Sequence, residues 1–203
     1  MSVVDRVLFF VEEPSAEAAL RTIVPAIVPG LDFDILVFQG KRDLLKQLDG
    51  RLRGYARFMH STWRIVVLID RDQDDCRALR QQIDGKIQAA GLRLRTSPRD
   101  ASWQAVTRVA IEELEAWYFG DWQAVRDAYP KLPSKVPGRA AFRDPDAIAG
   151  GTAEQLERHL QHAGYFKTGL RKVELATAIA EHMVPERNRS ASFRKFNQLL
   201  KAL

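Results

Sequence analysis

The 203-residue chain has a single cysteine, Cys76, so neither an intrachain disulfide nor a cysteine-based zinc cluster can be built from it. Histidine is scarce too, with four copies, and the closest pair, His159 and His162, has no neighbouring acid to complete a ligand set. No apolar run approaches the roughly 20 residues of a membrane-spanning helix; the longest near the start is Val-Leu-Phe-Phe-Val at residues 7–11. No basic segment and small-residue cleavage site precede that run, so a secretion signal is not expected, and the cytoplasm is the expected compartment. A P-loop, G-x-G-x-x-G and a Ser-His-Asp order are all missing, which removes the standard signatures of ATP use and acyl transfer. There is no internal repeat, heptad pattern or low-complexity tract.

Charge is present in quantity, and unevenly. Residues 1–130 carry 18 basic and 19 acidic side chains, whereas residues 131–203 carry 13 basic and 7 acidic, a net +6. An acidic-to-neutral front half followed by a basic back half fits a metal site beside a phosphate-binding surface. Solvated helix faces give the same imbalance.

The apolar pattern predicts strands over residues 6–12, 33–38, 64–69 and 106–111, with a short one at 92–96. Helices fall between them: one N-capped by Ser15 and ended by Pro29-Gly30, one through Leu44, Leu45 and Leu48, and one over 75–90 closed by Gly91. Residues 112–119 and 121–129 read as short helices and 130–151 as a Pro- and Gly-rich loop. Residues 153–163, 170–183 and 192–203 read as closing helices, the last N-capped by Ser192. Strands alternating with helices predict an α/β domain over residues 1–130, with a mostly parallel sheet flanked by helices. A small, basic, helical C-terminal subdomain is expected over 131–203.

In an open α/β sheet ligands bind at the carboxyl ends of the strands. The first predicted strand ends in Glu12-Glu13, with Glu17 one helical turn on. The third ends in Asp70-Arg71-Asp72, with Asp74 and Asp75 close behind, and residues 106–111 lead into Glu112-Glu113-Leu114-Glu115. Like charges gathered this way repel unless a cation neutralises them or some stay protonated. All-oxygen donors point to Mg2+ or Mn2+ as that cation. Alternation along an extended chain would send Asp70 and Asp72 to one side, and would turn Glu12 away from Glu13, into helix packing or solvent.

These motifs resemble those of Toprim domains, shared by topoisomerases, primases and OLD-type nucleases: an apolar strand, a glutamate, a helix, and a later strand ending in Asp-x-Asp. Val11-Glu12-Glu13-Pro14-Ser15-Ala16-Glu17 matches the first motif with Glu13 as the key glutamate. Pro14 stands where the motif has glycine, and Glu12 is an alternative for that role. Ile65 to Asp70-Arg71-Asp72 matches the second motif. More closely, the chain is similar to an uncharacterised bacterial family of small Toprim-like proteins, and that likeness implies a mobile-element or phage-defence setting. Glu-Glu-Pro-Ser-Ala-Glu, Glu113-Leu114-Glu115-Ala116-Trp117 followed by Asp121, and Ser190-Ala191-Ser192-Phe193 carry that likeness.

The resemblance implies a Rossmann-like Toprim fold and magnesium-dependent phosphodiester chemistry on nucleic acid, most simply a nuclease, with DNA ranked ahead of RNA. It implies Glu13 as general acid or base or metal ligand, Asp70 and Asp72 as ligands, and Glu115, or else Glu113, as ligand to a second ion. An ATPase protein partner is expected, since larger OLD-type proteins carry both parts in one chain. A nucleic-acid- or partner-binding module with a regulatory or inactive metal site, and a phosphoryl-transfer enzyme on a small nucleotide, are the competing readings. On the basic tail, Lys167, Arg171 and Lys172, interleaved with Tyr165 and Phe166, are the candidate nucleic-acid contacts. Lys172 also begins a helix, where a phosphate would meet both a cation and the helix dipole.

Overall fold

The computed structural model describes residues 4–203. Four parallel strands form its sheet: β1 (Arg6–Val11), β2 (Asp32–Val37), β3 (Trp63–Asp70) and β4 (Ala105–Ala110), in the order β2-β1-β3-β4. The connecting helices are α1 (Pro14–Ile27), α2 (Lys41–Ala56) and α3 (Cys76–Ala89). The chain steps outward from β1 to β2, then returns to place β3 on the other side of β1. The strand order therefore reverses between β1 and β3, which is where such sheets leave a crevice beyond the strand ends.

Alternation along the strands builds two cores. Val7, Phe9 and Val11 of β1, with Val66 and Leu68 of β3, face α1 and the C-terminal helices. Leu8 and Phe10, with Ile65, Val67 and Ile69, face Leu44, Leu48 and Leu52 of α2 and Leu79, Ile83 and Ile87 of α3. Strands apolar on both faces are what a parallel sheet covered by helices requires.

After β4 come two short helices, α4 (Glu115–Gly120) and α5 (Trp122–Ala128). Three single 3-10 turns follow, then α6 (Thr152–His162), α7 (Lys172–Ala180) and α8 (Ala191–Lys201). Helix α7 lies along α1, and α8 packs against β4, α1 and α4. Phe193 and Phe196 of α8 meet Trp117, each with ring centroids 5.1 Å apart, and Phe196 also reaches Phe9 of β1. Among the described residues no helix is long and apolar enough to cross a membrane.

Four local expectations are corrected. Glu13, not Ser15, stands at the N-cap of α1, and the Ser15 hydroxyl donates to Glu13 Oε1 at 2.7 Å. The N-cap of α8 is Ser190, whose Oγ accepts from Phe193 N. Ser192 instead accepts from Trp117 Nε1 and donates to Asp146, serving the packing of α4 rather than the cap. Residues 92–96 form only a bridge, Leu94 to Ala105, because the chain turns away through Ser97 and Pro98. Residues 112–114 make a turn before α4, with Glu112 in the left-handed region at φ 63°.

Candidate functional site

The carboxyl ends of β1, β3 and β4 bring acids to one edge. Asp70 follows the side of Val66 and Leu68, and Glu13 that of Val11, so both stand on the α1 side. Glu115, 2 % exposed at the start of α4, joins them. Glu12 does face the other way, but it is not lost to packing or solvent. β1 ends two residues short of β3, leaving the Asp70 N–H without a strand partner, and Glu12 Oε1 accepts from it at 2.6 Å. Asp72, at φ 50°, sits in a strained backbone, with its N–H donating to Glu112 O at 2.8 Å. Glu112 pairs with Arg71 at the same lip.

Crowding and burial raise the pKa of several of these groups. Burial, reinforced by the charges of Glu12, Glu115, Glu13 and Asp72, holds the Asp70 carboxyl well above the usual carboxylate range. Burial lifts Glu12 to about 7, against the Asp70 N–H and Lys41, which favour its charged form. Burial also lifts Glu115 to about 7, against Lys172. Tyr118, one turn after Glu115, is pushed up by burial and by Glu115 and Asp70. Its hydroxyl is buried with no partner, as is Glu115 Oε2.

Two lysines neutralise part of this charge. Lys41, in the first turn of α2, reaches Asp72 at 2.7 Å, Asp74 at 2.9 Å and the Arg71 carbonyl at 3.0 Å. Lys172, first residue of α7, reaches Glu13 Oε1 at 3.3 Å and lies in the field of Glu115 and Glu113. The carboxylates raise the pKa of both lysines, more than offsetting burial. No group of three Asp, Glu, His or Cys among the described residues stands around a common ion position.

The remaining predicted residues are placed otherwise. Glu113 Oε2 accepts from Thr152 Oγ1 and the Ala153 N–H, so it holds the start of α6. Arg171 pairs with Glu174 at 2.7 Å and lies over Phe166 at 5.2 Å. Lys172 turns into the acids, and Lys167 is exposed. The three do not present one free cationic face. Asp121 is a structural tie: it accepts from Ala124 N and Val184 N and pairs with Arg187 at 2.6 Å. Gly120 is required beside it, since a Cβ there would collide with Asn188.

Sequence reasoning missed Lys41 and Tyr118, and it turned Glu12 the right way but missed its partner, the Asp70 N–H. Lys41 follows Gly40 directly beyond β2, so the strand-end logic applied to the acids would also have found it. A cavity of about 680 Å³ opens against this edge, lined by Arg71, Asp72, Glu112, Glu113, Asp146 and Glu154 among others.

A family model described as "Domain of unknown function (DUF4276)" matches residues 11–203. No curated protein matches the chain. The C-terminal region of the Burkholderia pseudomallei OLD protein superposes with a TM-score of 0.51 at 20% identity, over 96% of this chain and 95% of that one. The C-terminal region of the Xanthomonas campestris pv. campestris OLD protein gives 0.49 at 16%, over 97% and 92%. The first of these is a likeness of fold.

Proposed function

The chain belongs to the DUF4276 family, and we propose that its acidic sheet end is a Toprim-type centre for metal-dependent phosphodiester chemistry on nucleic acid, acting as a nuclease. The carrying observation is the gathering of Glu12, Glu13, Asp70, Asp72 and Glu115 at the switch point between β1 and β3, with Glu12, Asp70 and Glu115 held above the carboxylate range. Even with Lys41 and Lys172 present, the cluster is short of positive charge. Its donors are all oxygen and Glu115 Oε2 has no partner, which suits magnesium or manganese. Glu13, Asp70, Asp72 and Glu115 would hold such an ion once the lysine pairs of Glu13 and Asp72 open. When bound, it supplies Lewis-acid stabilisation of phosphate charge.

The chain's own groups complete the chemistry. Glu12, with a pKa of about 7, is suited to exchange a proton near neutral pH. Lys41 and Lys172, freed from Asp72 and Glu13, would turn their ammonium groups toward phosphate oxygens. Glu115 itself, 2 % exposed at the start of α4, is withdrawn from water.

Titrating Mg2+ and Mn2+ against labelled DNA and RNA tests the reading. Cleavage is expected in the wild type, with a loss of at least about 100-fold in Asp70→Asn. A second reading, a nucleic-acid-binding module with an inactive site, is favoured by the two lysines that already neutralise Glu13 and Asp72. It replaces the first if neither polymer is cut and neither metal shifts the melting temperature.

A further inference from the structure

Along the outer edge of β4 the molecule gathers cations that the acidic site does not use. Two neighbouring cavities of about 120 and 180 Å³ share Arg80 and Arg108 as walls. The first extends to Ile111 and Lys195, next in sequence to the acidic turn at Glu112, and the second to Arg95. Arg95 is 9 % exposed and Arg108 half-buried, and the Nε of each is buried without a partner. Their remaining donors reach only backbone carbonyls, Pro98 at 3.1 Å and Thr107 at 3.0 Å.

One carboxylate is paired within the group, and a second, Asp100, lies only in the field of Arg95. Asp84 pairs with Arg80 at 3.3 Å and accepts from Thr107 Oγ1 at 2.6 Å. Among the described residues Arg95, Arg108 and Lys195 have no carboxylate within ion-pair distance. Burial and the charges of Arg95 and Arg80 lower Arg108 to about 10. Guanidinium groups withdrawn from water beside one another are costly unless an anion completes the arrangement.

We propose that this groove holds the phosphodiester backbone of a nucleic-acid strand whose reacting phosphate lies at the acidic end of the sheet. The inference rests on the nuclease reading and names the surface that grips the polymer. Over β4 (Ala105–Ala110) the extended chain covers about 17 Å, and phosphates of one strand recur roughly every 3.4 Å along the axis of a duplex, so more than one falls within reach. Guanidinium forks match phosphate oxygens in shape as well as charge.

The test is binding of fluorescent DNA and RNA oligonucleotides in EDTA, across a salt series, so that cleavage and metal do not enter. Arg80→Ala/Lys195→Ala changes two exposed side chains, and Arg108→Gln changes the central one; thermal melts report whether each folds. Loss of about tenfold in affinity is expected, with the salt slope reduced by roughly 0.7–0.9 for each phosphate contact removed. Lys131→Ala/Arg158→Ala, at a different basic cavity, should leave the slope as it is. Wild-type binding with an unchanged slope in the folded groove variants overturns the groove and leaves the nuclease reading standing. Displacement of the oligonucleotide by poly-glutamate at equal charge would overturn phosphate recognition in favour of an acidic protein. Hydrolysis of bis(4-nitrophenyl) phosphate in Mn2+ reads the acidic end alone. If it proceeds while the wild type binds neither polymer, the groove fails and the phosphodiester chemistry survives.

Discussion

Asp121 and Asp70 are two aspartates with opposite surroundings. Asp121, its side chain 1 % exposed, meets Arg187 and the N–H groups of Ala124 and Val184, joining α4 and α5 to the segment before α8. Asp70, among the described residues, has no donor to its carboxylate, and its neighbours are four more acids. A chain that needs a buried carboxylate for structure surrounds it with donors. Where carboxylates are instead set against one another, the arrangement serves something other than stability, as perturbed groups in a crevice commonly do.

The two aspartates should respond to substitution in opposite ways. Asp121→Ala should cost about 3 kcal/mol, since it strands two backbone N–H groups and a guanidinium, and so lower the melting temperature by roughly 6–12 °C for a chain of this size. Asp70→Asn should leave the metal-free melt level or raise it, by easing repulsion. Equal losses at the two positions would show that Asp70 is a structural acid after all.

Metal sharpens the contrast. Magnesium or manganese at 100 times its dissociation constant should stabilise the wild type by about 2.7 kcal/mol. Asp121→Asn, if it folds, should keep that gain and Asp70→Asn should lose it, as differential scanning fluorimetry would show.

A smaller effect follows from protonation. Glu12 and Glu115 move from 4.5 to about 7 on folding. Between those values the folded state holds more protons than the unfolded one, so stability falls as pH rises. In EDTA the protein should therefore be more stable at pH 5 than at pH 7.5, and Glu115→Gln should flatten that dependence. A melting temperature rising from pH 5 to 7.5 would contradict the protonated cluster. The smallest change is expected for Lys41→Met: a melt within about 1 kcal/mol of wild type, accompanied by altered magnesium affinity in calorimetry.

The strands and all three acidic strand ends were legible in the sequence, because short continuous apolar runs and their charged ends are local signals. Glu12 was not, since its partner is an N–H exposed only because β1 stops before β3. Ser192 read as a cap because capping is judged from neighbours in sequence, whereas its partners Trp117 and Asp146 are distant. Lys172 was read as a phosphate contact on a free face, and no spacing rule could pair it with Glu13, 159 positions earlier. The basic edge of β4 escaped for the same reason. Arg80, Arg95, Arg108 and Lys195 look like solvated surface until the fold lines them up.

That separation of 159 positions also sets an order of events during synthesis. Contacts so far apart in the chain form late, because the intervening loop must close first. Glu13 leaves the ribosome 159 residues before its counter-ion Lys172, and the rings of Phe193 and Phe196 that pack on Trp117 follow later still. A nascent chain stalled before α7 therefore carries its gathered acids without the cation that pairs with Glu13, which arrives only with α7.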